Sequence, residues 1–177
     1  GKSTMCNLLL ENMFGKSIYN LEKKKYSLDT RTSLSYFCSK YHFEFDVLNY
    51  INKEKVFVSE LIKNISSTHN IMTKSKKILV IKHADKLIRL SQHMLRRMIE
   101  KSNAIFIITV NNMSSIIDPL KSRFLMCRIS YPSMEKVTNL LKHVSKEENI
   151  KLSKRSLNII LKKTNNIKKI LSLLEIC

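Results

Sequence analysis

Two short apolar runs constrain the fold of this chain more than any other feature of its sequence. Residues 78–81 read Ile-Leu-Val-Ile, and residues 104–110 read Ala-Ile-Phe-Ile-Ile-Thr-Val. Continuous apolar runs of this length are typical of parallel strands that are covered on both faces. Between them, residues 87–102 carry apolar residues at helical spacing. Strands that alternate with helices predict an α/β domain with three layers and a mostly parallel sheet.

The remaining patterns divide the chain into two parts. Before Pro132, they predict helices over 3–13 and 56–66 and strands over 41–45 and 124–130. After Pro132, only helical patterns occur, over 133–149, 153–164 and 166–176. We therefore predict an α/β domain over 1–130 and a small all-helical domain over 131–177. Two helices of the first domain should each bury an apolar face. The face of the helix over 56–66 consists of Val58, Leu61, Ile62 and Ile65. The face of the helix over 87–102 consists of Leu87, Leu90, Met94, Leu95, Met98 and Ile99.

The charge of the chain is strongly positive, with 32 Lys and Arg against 14 Asp and Glu and a formal net charge of +18. A field of this sign favours polyphosphate partners such as nucleic acid. The chain is also rich in Lys, Asn and Ile, so the base composition of an A+T-rich genome is an alternative source of the charge. No apolar run approaches the roughly 18 residues of a membrane span, and no secretory pattern opens the chain. We expect an intracellular protein that is not attached to a membrane.

The four cysteines are far apart in the sequence and form no C-x-x-C pair. This spacing argues against a zinc site and favours reduced, mostly buried thiols. They are Cys6, Cys38, Cys127 and Cys177.

The two glycines of the chain, Gly1 and Gly15, each begin a Gly-Lys-Ser sequence. A P-loop ends in Gly-Lys-Ser/Thr, because backbone N–H groups cradle phosphates while the lysine neutralises their charge and the hydroxyl ligates magnesium. The second copy has no helical pattern behind it, and we interpret it as a chance match. The first opens an amphipathic helix, whose N-terminus favours bound phosphate. The chain begins with Gly rather than Met, so we expect the natural start and the upstream glycine loop to precede it.

Polar residues follow both buried strands. A P-loop enzyme needs carboxylates after the first of them, to hold magnesium and polarise water, but this chain has Lys82 and His83 there. Asn111 follows the second strand, where it could contact a γ-phosphate or a water. Further on, Arg123 could reach the phosphate of a neighbouring subunit, although a simple surface cation is the alternative.

In this order, these pieces resemble the AAA+ clamp loaders, specifically the small subunits of replication factor C and most closely subunit 3. The resemblance is densest over "ILVIKHADKLIRLSQHMLRRMIEKSNAIFIITVNNMSSIIDPLKSRF", residues 78–124. The family has a Walker B strand, a central helix, a sensor-1 Asn and a Ser-Arg-Cys finger there. The segments "SKYHFEF" (39–45) and "NNIKKILSLLE" (165–175) also resemble the family, the second as the lid helix.

The resemblance implies a nucleotide site for ATP or ADP with Mg²⁺. Gly1, Lys2, Ser3 and Thr4 would form the end of the Walker A loop, with Lys2 as its lysine and Ser3 as the magnesium ligand. Lys168 stands at the position of sensor 2, where the family usually has Arg.

The resemblance also implies roles outside the Walker A loop. Asn111 would be sensor 1, and Arg123 would be an arginine finger that acts in trans. Gln92 matches a central-helix glutamine that couples DNA binding to the nucleotide site. Lys86 and Arg89 are candidates for DNA contacts.

The departures from the family concern the Walker B motif, where Asp-Glu-Ala-Asp becomes Lys82-His83-Ala84-Asp85. Lys82 replaces a metal-binding acid, and His83 replaces the residue that activates water. We therefore expect poor hydrolysis or none in this site, within a complex that is an ATPase. Lys82 could partly replace the charge of the metal, or it could have drifted after selection for chemistry ended. Phe124 replaces the Cys of Ser-Arg-Cys and leaves the arginine intact.

The resemblance implies a nuclear subunit, or one in an equivalent compartment, of the heteropentamer that loads a sliding clamp of the PCNA type at primer–template DNA. The helical collar that holds such pentamers together has no counterpart in the sequence, so we expect a fragment or a partial gene product. Two rival hypotheses remain. One is a self-sufficient P-loop ATPase such as a helicase loader, which would need Asp85 near phosphate. The other is a basic nucleic-acid-binding module without a nucleotide role.

Overall fold

The computed structural model describes residues 1–29, 32–67, 76–150, 157, 159, 161 and 166–176. The chain divides into two compact units, Gly1–Cys127 and Arg128–Cys177, which are described separately. The assignment of a nucleotide-binding domain to residues 1–130 and a lid to residues 131–177 stays a prediction.

The first unit contains one five-stranded sheet and its covering helices. The strands are β1 (Glu22–Asp29), β2 (Thr32–Cys38), β3 (His42–Asp46), β4 (Ile78–Lys82) and β5 (Ile105–Ile108). The helices are α1 (Lys2–Phe14), α2 (Glu54–Val56, Phe57–Ile62 and Lys63–Ser67, the middle part π-helical), α3 (Arg89–Lys101) and α4 (Asp118–Lys121). Short 3₁₀ helices occur at Lys16–Tyr19, Val47–Tyr50, Ala84–Lys86 and Met113–Ser115.

The strands lie in the order β1-β2-β3-β4-β5. β3, β4 and β5 are parallel, with Phe45 opposite Ile81 and Ile81 opposite Ile108. The predicted α/β fold with parallel apolar strands is therefore confirmed. β1 and β2 form an antiparallel hairpin that joins the sheet at β3. The sequence analysis missed this hairpin, since the three consecutive lysines of β1 hide its alternation.

β4 is buried on both faces, as its apolar run predicts. Successive side chains of a strand point to opposite faces, so Leu79 and Ile81 pack in one core, which includes Leu95 of α3. Ile78 and Val80 pack in another core, against Leu10 of α1. Each such side chain contributes about 1.5–3 kcal/mol of hydrophobic free energy when it is fully buried. The sheet therefore lies between α1 on one face and α2 and α3 on the other, which makes three layers.

The predicted faces of the helices are largely correct. Val58, Leu61, Ile62 and Ile65 of α2 are all buried. In α3, Leu95 is fully buried, but Leu90 is 50% exposed and its predicted place in the core is wrong. The small polar residues Ser91 and Gln92 lie inside instead. Gln92 can do so because its amide is fully hydrogen-bonded, as described below.

The strand predicted over 124–130 does not form. These residues have no regular secondary structure, and in the described part of the chain they pair with no strand. Leu125 is 93% exposed. An apolar run forms a strand only where a neighbouring edge accepts its hydrogen bonds and a layer covers its side chains.

The second unit contains helices α5 (Met134–Glu147) and α6 (Ile167–Ile176), as predicted. Their apolar faces meet in a small core of Val137, Leu141, Leu157, Ile170 and Leu174. Most of the helix predicted over 153–164 lies outside the described residues.

Three cysteines are described as free thiols. Cys38 is buried and Cys6 half-buried, whereas Cys127 is exposed, contrary to the expectation of mostly buried thiols. Cys177 lies outside the described residues. No helix in the described ranges is long and apolar enough to span a bilayer.

Candidate functional site

The direction of α1 across the sheet positions the site. At the C-terminal end of α1, Phe14 stacks on Tyr41, just before β3, with ring centroids 4.9 Å apart. Leu10 packs on the middle of β4. Cys6, nearer the helix start, lies within electrostatic reach of Lys82 at the end of β4. The helix therefore runs antiparallel to β4, and its N-terminus lies at the carboxyl ends of the parallel strands.

The predicted Walker A residues lie one helical turn before Cys6, toward the start of α1. Lys2 and Ser3 precede it by four and three residues, so they occupy the same side of the helix. Gly1 is the N-cap, and no side chain caps this end. The first backbone N–H groups of a helix have no intrahelical partner, and with the helix dipole they make an anion site. Ser3 and Thr4 are exposed here and Lys2 is half-buried, an arrangement that suits a phosphate group.

Lys82 is held by a buried ion pair under α1. Its Nζ donates to Glu44 Oε2 at 2.7 Å, and His42 Nε2 lies 3.6 Å from Glu44 Oε1. Ser39 Oγ lies 2.7 Å from His42 Nδ1 and extends the network. Glu44 and His42 are almost fully buried, whereas the Lys82 side chain is 22% exposed. Lys82, at the predicted Walker B acid position, is thus already neutralised by a carboxylate from the neighbouring strand.

Burial and neighbouring charges shift the pKa values of this cluster in opposite directions. Burial alone would raise the pKa of Glu44, but hydrogen bonds from His42 and Lys82 outweigh it and lower that pKa below its ordinary value. Burial raises the pKa of the Cys6 thiol, while nearby Lys82 partly opposes the shift. Glu44 is therefore ionised at neutral pH, and Cys6 is a protonated thiol.

His83 is paired in a similar way. Its Nδ1 lies 2.9 Å from Asp46 Oδ1, which also accepts a hydrogen bond from the backbone N–H of Leu48 at 3.1 Å. His83 has a left-handed backbone, with φ of 57°. This conformation is uncommon for a residue other than Gly. It turns the chain sharply after β4, so that His83 faces Asp46 at the end of β3.

Asn111 lies at the same edge of the sheet. It is exposed, and its backbone N–H donates to Asp85 Oδ1 at 3.1 Å. Between the two strands, the backbone N–H of Ala84 donates to the carbonyl oxygen of Thr109 at 3.0 Å. The structure therefore brings the predicted sensor 1 next to the Walker B turn. Asp85 is the carboxylate that the rival hypothesis of a self-sufficient ATPase needs, and it is used here to hold this loop.

Gln92 joins the central helix to the loop behind Asn111. Its Nε2 donates to the carbonyl oxygens of Leu87 at 2.8 Å and Ser115 at 2.9 Å, and its Oε1 accepts from the backbone N–H of Ile117 at 2.9 Å. The residue is 1% exposed. Among the described residues, these hydrogen bonds involve none of the residues predicted to bind nucleotide. They do fix α3, which begins at the DNA-contact candidate Arg89, to the segment that follows Asn111.

Arg123 lies after α4 and contacts α3. Its Nε donates to Glu100 Oε1, and its Nη1 donates to the carbonyl oxygen of Pro119 at 3.1 Å. Glu100 Oε1 also accepts from Arg96 Nε at 3.1 Å. These two arginines lower the pKa of Glu100, with Arg96 the larger influence. The predicted finger is thus anchored at its Nε while its side chain stays 35% exposed.

The remaining predicted residues are Lys86 and Arg89 in the first unit and Lys168 in the second. Lys86 and Arg89 are exposed before and at the start of α3, where a DNA backbone could reach them. Lys168 is exposed in α6, in the second unit. Its backbone N–H bonds to Asn166 Oδ1 at 3.0 Å.

The residues at the carboxyl edge do not fit a magnesium ion. Mg²⁺ is bound by one or two carboxylates together with phosphates, but here Glu44, Asp46 and Asp85 each already accept a hydrogen bond. Lys82 and His83, which end β4, supply no oxygen ligand of the kind that such an ion requires. Among the described residues, no group of three or more His, Cys, Asp or Glu is arranged to hold a metal.

The sequence analysis missed the carboxylates of β3. Glu44 and Asp46 alternate with apolar residues, so both point to the α1 face, as His42 does. That alternation was visible in the sequence and predicted the strand. The partners of Glu44 and Asp46 were not visible, because Lys82 and His83 are 38 and 37 residues away in the chain.

Comparisons with known proteins identify the family of this chain. A family model described as "ATPase family associated with various cellular activities (AAA)" matches residues 1–131. Replication factor C subunit 3 of Homo sapiens is 28% identical over all of this chain and 52% of its own length. Replication factor C subunit 3 of Arabidopsis thaliana is 32% identical, over all of this chain and 54% of its own length. Replication factor C subunit 5 of Saccharomyces cerevisiae is 29% identical, over 89% of this chain and 48% of its own length.

The resemblance to replication factor C small subunits, given above from the motifs, is therefore confirmed. The chain spans about half the length of the curated relatives that it matches. Among solved structures, domain III of the Thermotoga maritima replication initiation protein DnaA has a TM-score of 0.45 at 16% identity, covering 76% of this chain and 70% of that one. A likeness of this strength carries no argument about function.

Proposed function

Because the chain belongs to the AAA family of ATPases, we propose that it is a subunit of a clamp loader of the replication factor C type, with a nucleotide site that binds but does not hydrolyse. Its relatives are named as subunits of replication factor C, which supports the assignment. Its contribution to turnover is an arginine that acts on the ATP of an adjacent subunit.

The pairing of Lys82 with Glu44 is the observation that carries this proposal. Phosphoryl transfer in P-loop enzymes needs a carboxylate-held metal and an acid or amide that orients water. At the first position this chain has an ammonium group bound at 2.7 Å to a buried carboxylate. At the second it has His83, bound to Asp46. Both changes favour a structural site, in which Lys2 and the N-terminus of α1 hold the phosphates.

The anchoring of Arg123 supports its role as a finger. A guanidinium that stabilises a transition state must be held in place before the reaction. Glu100 holds the Nε of Arg123, and the carbonyl of Pro119 holds its Nη1. The side chain lies at the surface of its unit, where a neighbouring subunit could approach it.

The wider role follows from the same assignment. The partners are the other subunits of a heteropentamer, a sliding clamp and primer–template DNA, in the nucleus or an equivalent compartment. Lys86 and Arg89 would contact the DNA backbone without reading its sequence, so binding should weaken steeply as salt rises. The positive net charge of the chain supports this role.

The test is the DNA- and clamp-stimulated ATPase of the reconstituted complex. Arg123→Ala should lower turnover at the adjacent site by about 10³-fold or more, whereas Lys2→Ala should change total turnover little. Arg123→Lys keeps the charge but loses the planar fork, so it should also be defective. Arg97→Ala, on an exposed position of α3, is the matched control for loss of one positive charge.

Two outcomes would contradict the proposal. If Lys2→Ala abolishes turnover and Arg123→Ala is silent, this site is the hydrolytic one. If neither variant changes turnover or assembly, a basic binding module without a nucleotide role becomes the better description.

A further inference from the structure

We propose that this nucleotide site takes its nucleoside di- or triphosphate without a divalent metal ion, because Lys82 and His83 stand where a metal site needs acids and pair with the neighbouring carboxylates, Glu44 and Asp46. The inference rests on the proposed nucleotide site at the N-terminus of α1. It goes beyond that proposal because a non-hydrolysing site could still require magnesium to bind.

The first support for metal-free binding comes from the carboxylates at the edge of the sheet. Magnesium at a P-loop is held by acidic side chains, directly or through water, and by phosphate oxygens. Glu44 already accepts from Lys82 on Oε2 and faces His42 across 3.6 Å on Oε1. Asp46 Oδ1 accepts from Leu48 and contacts His83. A metal would have to displace these partners from a cluster that is mostly buried.

The second support for metal-free binding comes from the two lysines near the proposed phosphate position, Lys82 and Lys2. Lys82 lies under Cys6 of α1, one helical turn from Lys2 and Ser3. The neighbouring sheet edge adds His83, whose Nδ1 lies 2.9 Å from Asp46 Oδ1. Lys2 and the unpaired N–H groups of α1 supply the direct phosphate contacts. At the end of β4 the site thus offers Lys82 and His83, both paired with carboxylates of β3, where a metal-dependent site offers free acids.

The experiment measures the dissociation constants of ATP and ADP by calorimetry, in excess EDTA and again in excess Mg²⁺ at equal ionic strength. We expect the two values to agree within about twofold for each nucleotide, whereas a metal-dependent site would differ by about tenfold or more, or about 1.4 kcal/mol. Lys2→Ala should weaken binding under both conditions, which shows that the measured site is the one at α1.

Lys82→Asp tests whether the lysine is the cause. It returns a carboxylate to the position, so the affinity for ATP should become at least about fivefold higher in Mg²⁺ than in EDTA. The variant places Asp beside Glu44, so its folding is checked by thermal unfolding. If it does not fold, Lys82→Asp combined with Glu44→Gln removes the repulsion and serves the same purpose.

Each outcome decides the question. Binding by the unaltered protein in Mg²⁺ but not in EDTA overturns the metal-free inference and leaves the proposed nucleotide site intact. Absence of binding under both conditions overturns both. Metal-independent binding that Lys82→Asp does not change retains the metal-free site but overturns the role of Lys82.

Discussion

Replacing Lys82 with methionine should destabilise the protein by about 2–3 kcal/mol in the absence of nucleotide. Methionine keeps the volume of the lysine stem but removes the charge that faces Glu44. The carboxylate is then left in a site where its side chain is 8% exposed. Removal of one partner of a buried ion pair typically costs about 3–5 kcal/mol.

The contacts of Lys82 and Glu44 indicate a destabilisation smaller than this typical cost of about 3–5 kcal/mol. At 2.7 Å, two unit charges attract by about 6 kcal/mol at an effective dielectric constant of 20, and the desolvation of both groups offsets much of this. The His42 ring remains 3.6 Å from Glu44 Oε1, so the carboxylate keeps one polar neighbour. Lys82 is also partly exposed, so its pair is not fully buried.

A double-mutant cycle in urea measures the pair. Glu44→Gln alone should cost about 1 kcal/mol, because Lys82 can turn toward water. The double variant should cost less than about 1 kcal/mol, since a neutral pair of similar volume needs no charge partner. The coupling energy is then about 2–3 kcal/mol. Lys24→Met is the control, because its pair with Glu22 is exposed, at 3.8 Å, and should contribute under about 0.5 kcal/mol.

Two results would refute this reasoning. A cost below about 0.5 kcal/mol for Lys82→Met would mean that Glu44 is solvated or already neutral. Strict additivity of the two single variants would mean that the two side chains do not interact in solution.

Three further predictions concern single groups. The pKa of Glu44 is lowered in the fold, so its ionised carboxylate stabilises the protein at pH values above its ordinary pKa of 4.5. This stabilisation is lost as the pH falls through the folded pKa. In urea unfolding at decreasing pH, the free-energy difference between the unaltered protein and Glu44→Gln should therefore shrink. Gln92→Ala should cost about 2–4 kcal/mol in urea, because it leaves buried backbone groups unpaired, whereas Ser91→Ala, whose buried hydroxyl has no partner among the described residues, should cost almost nothing. Tyr50→Phe should cost about 0.5–1.5 kcal/mol in the same assay, through loss of its 2.6 Å hydrogen bond to the carbonyl of Ser35.

The local sequence was sufficient for most helices and for the central strands. Continuous apolar runs predicted β4 and β5, and helical spacing predicted α1, α2, α3 and α5. The hairpin of β1 and β2 was missed, since three lysines on an edge strand look like a solvated loop although they protect the edge from further pairing. The strand over 124–130 was wrong for the opposite reason, because apolar character without a neighbouring edge does not make a strand.

The candidate site was only half visible in the sequence. The Gly-Lys-Ser start of α1, the missing acids at Lys82 and His83, and the position of Asn111 follow from residue type and order alone. The sequence could also indicate that Gln92 lies on the central helix. It could not show that the amide is buried, because that depends on the loop that packs against it.

The sequence by itself determined the order of the parts of this protein and the presence of Lys82 and His83, rather than acids, after the first buried strand. Only the tertiary structure decided which side chains pair with Lys82 and His83. Parallel pairing of β3 with β4 places Glu44 and Asp46 beside Lys82 and His83, and the direction of α1 puts its N-terminus, the proposed phosphate position, at the same edge of the sheet. The physical reason is that sequence spacing gives the face on which a side chain lies, whereas the energy of a charge depends on neighbours within a few ångströms, and here these come from a strand more than thirty residues away in the chain.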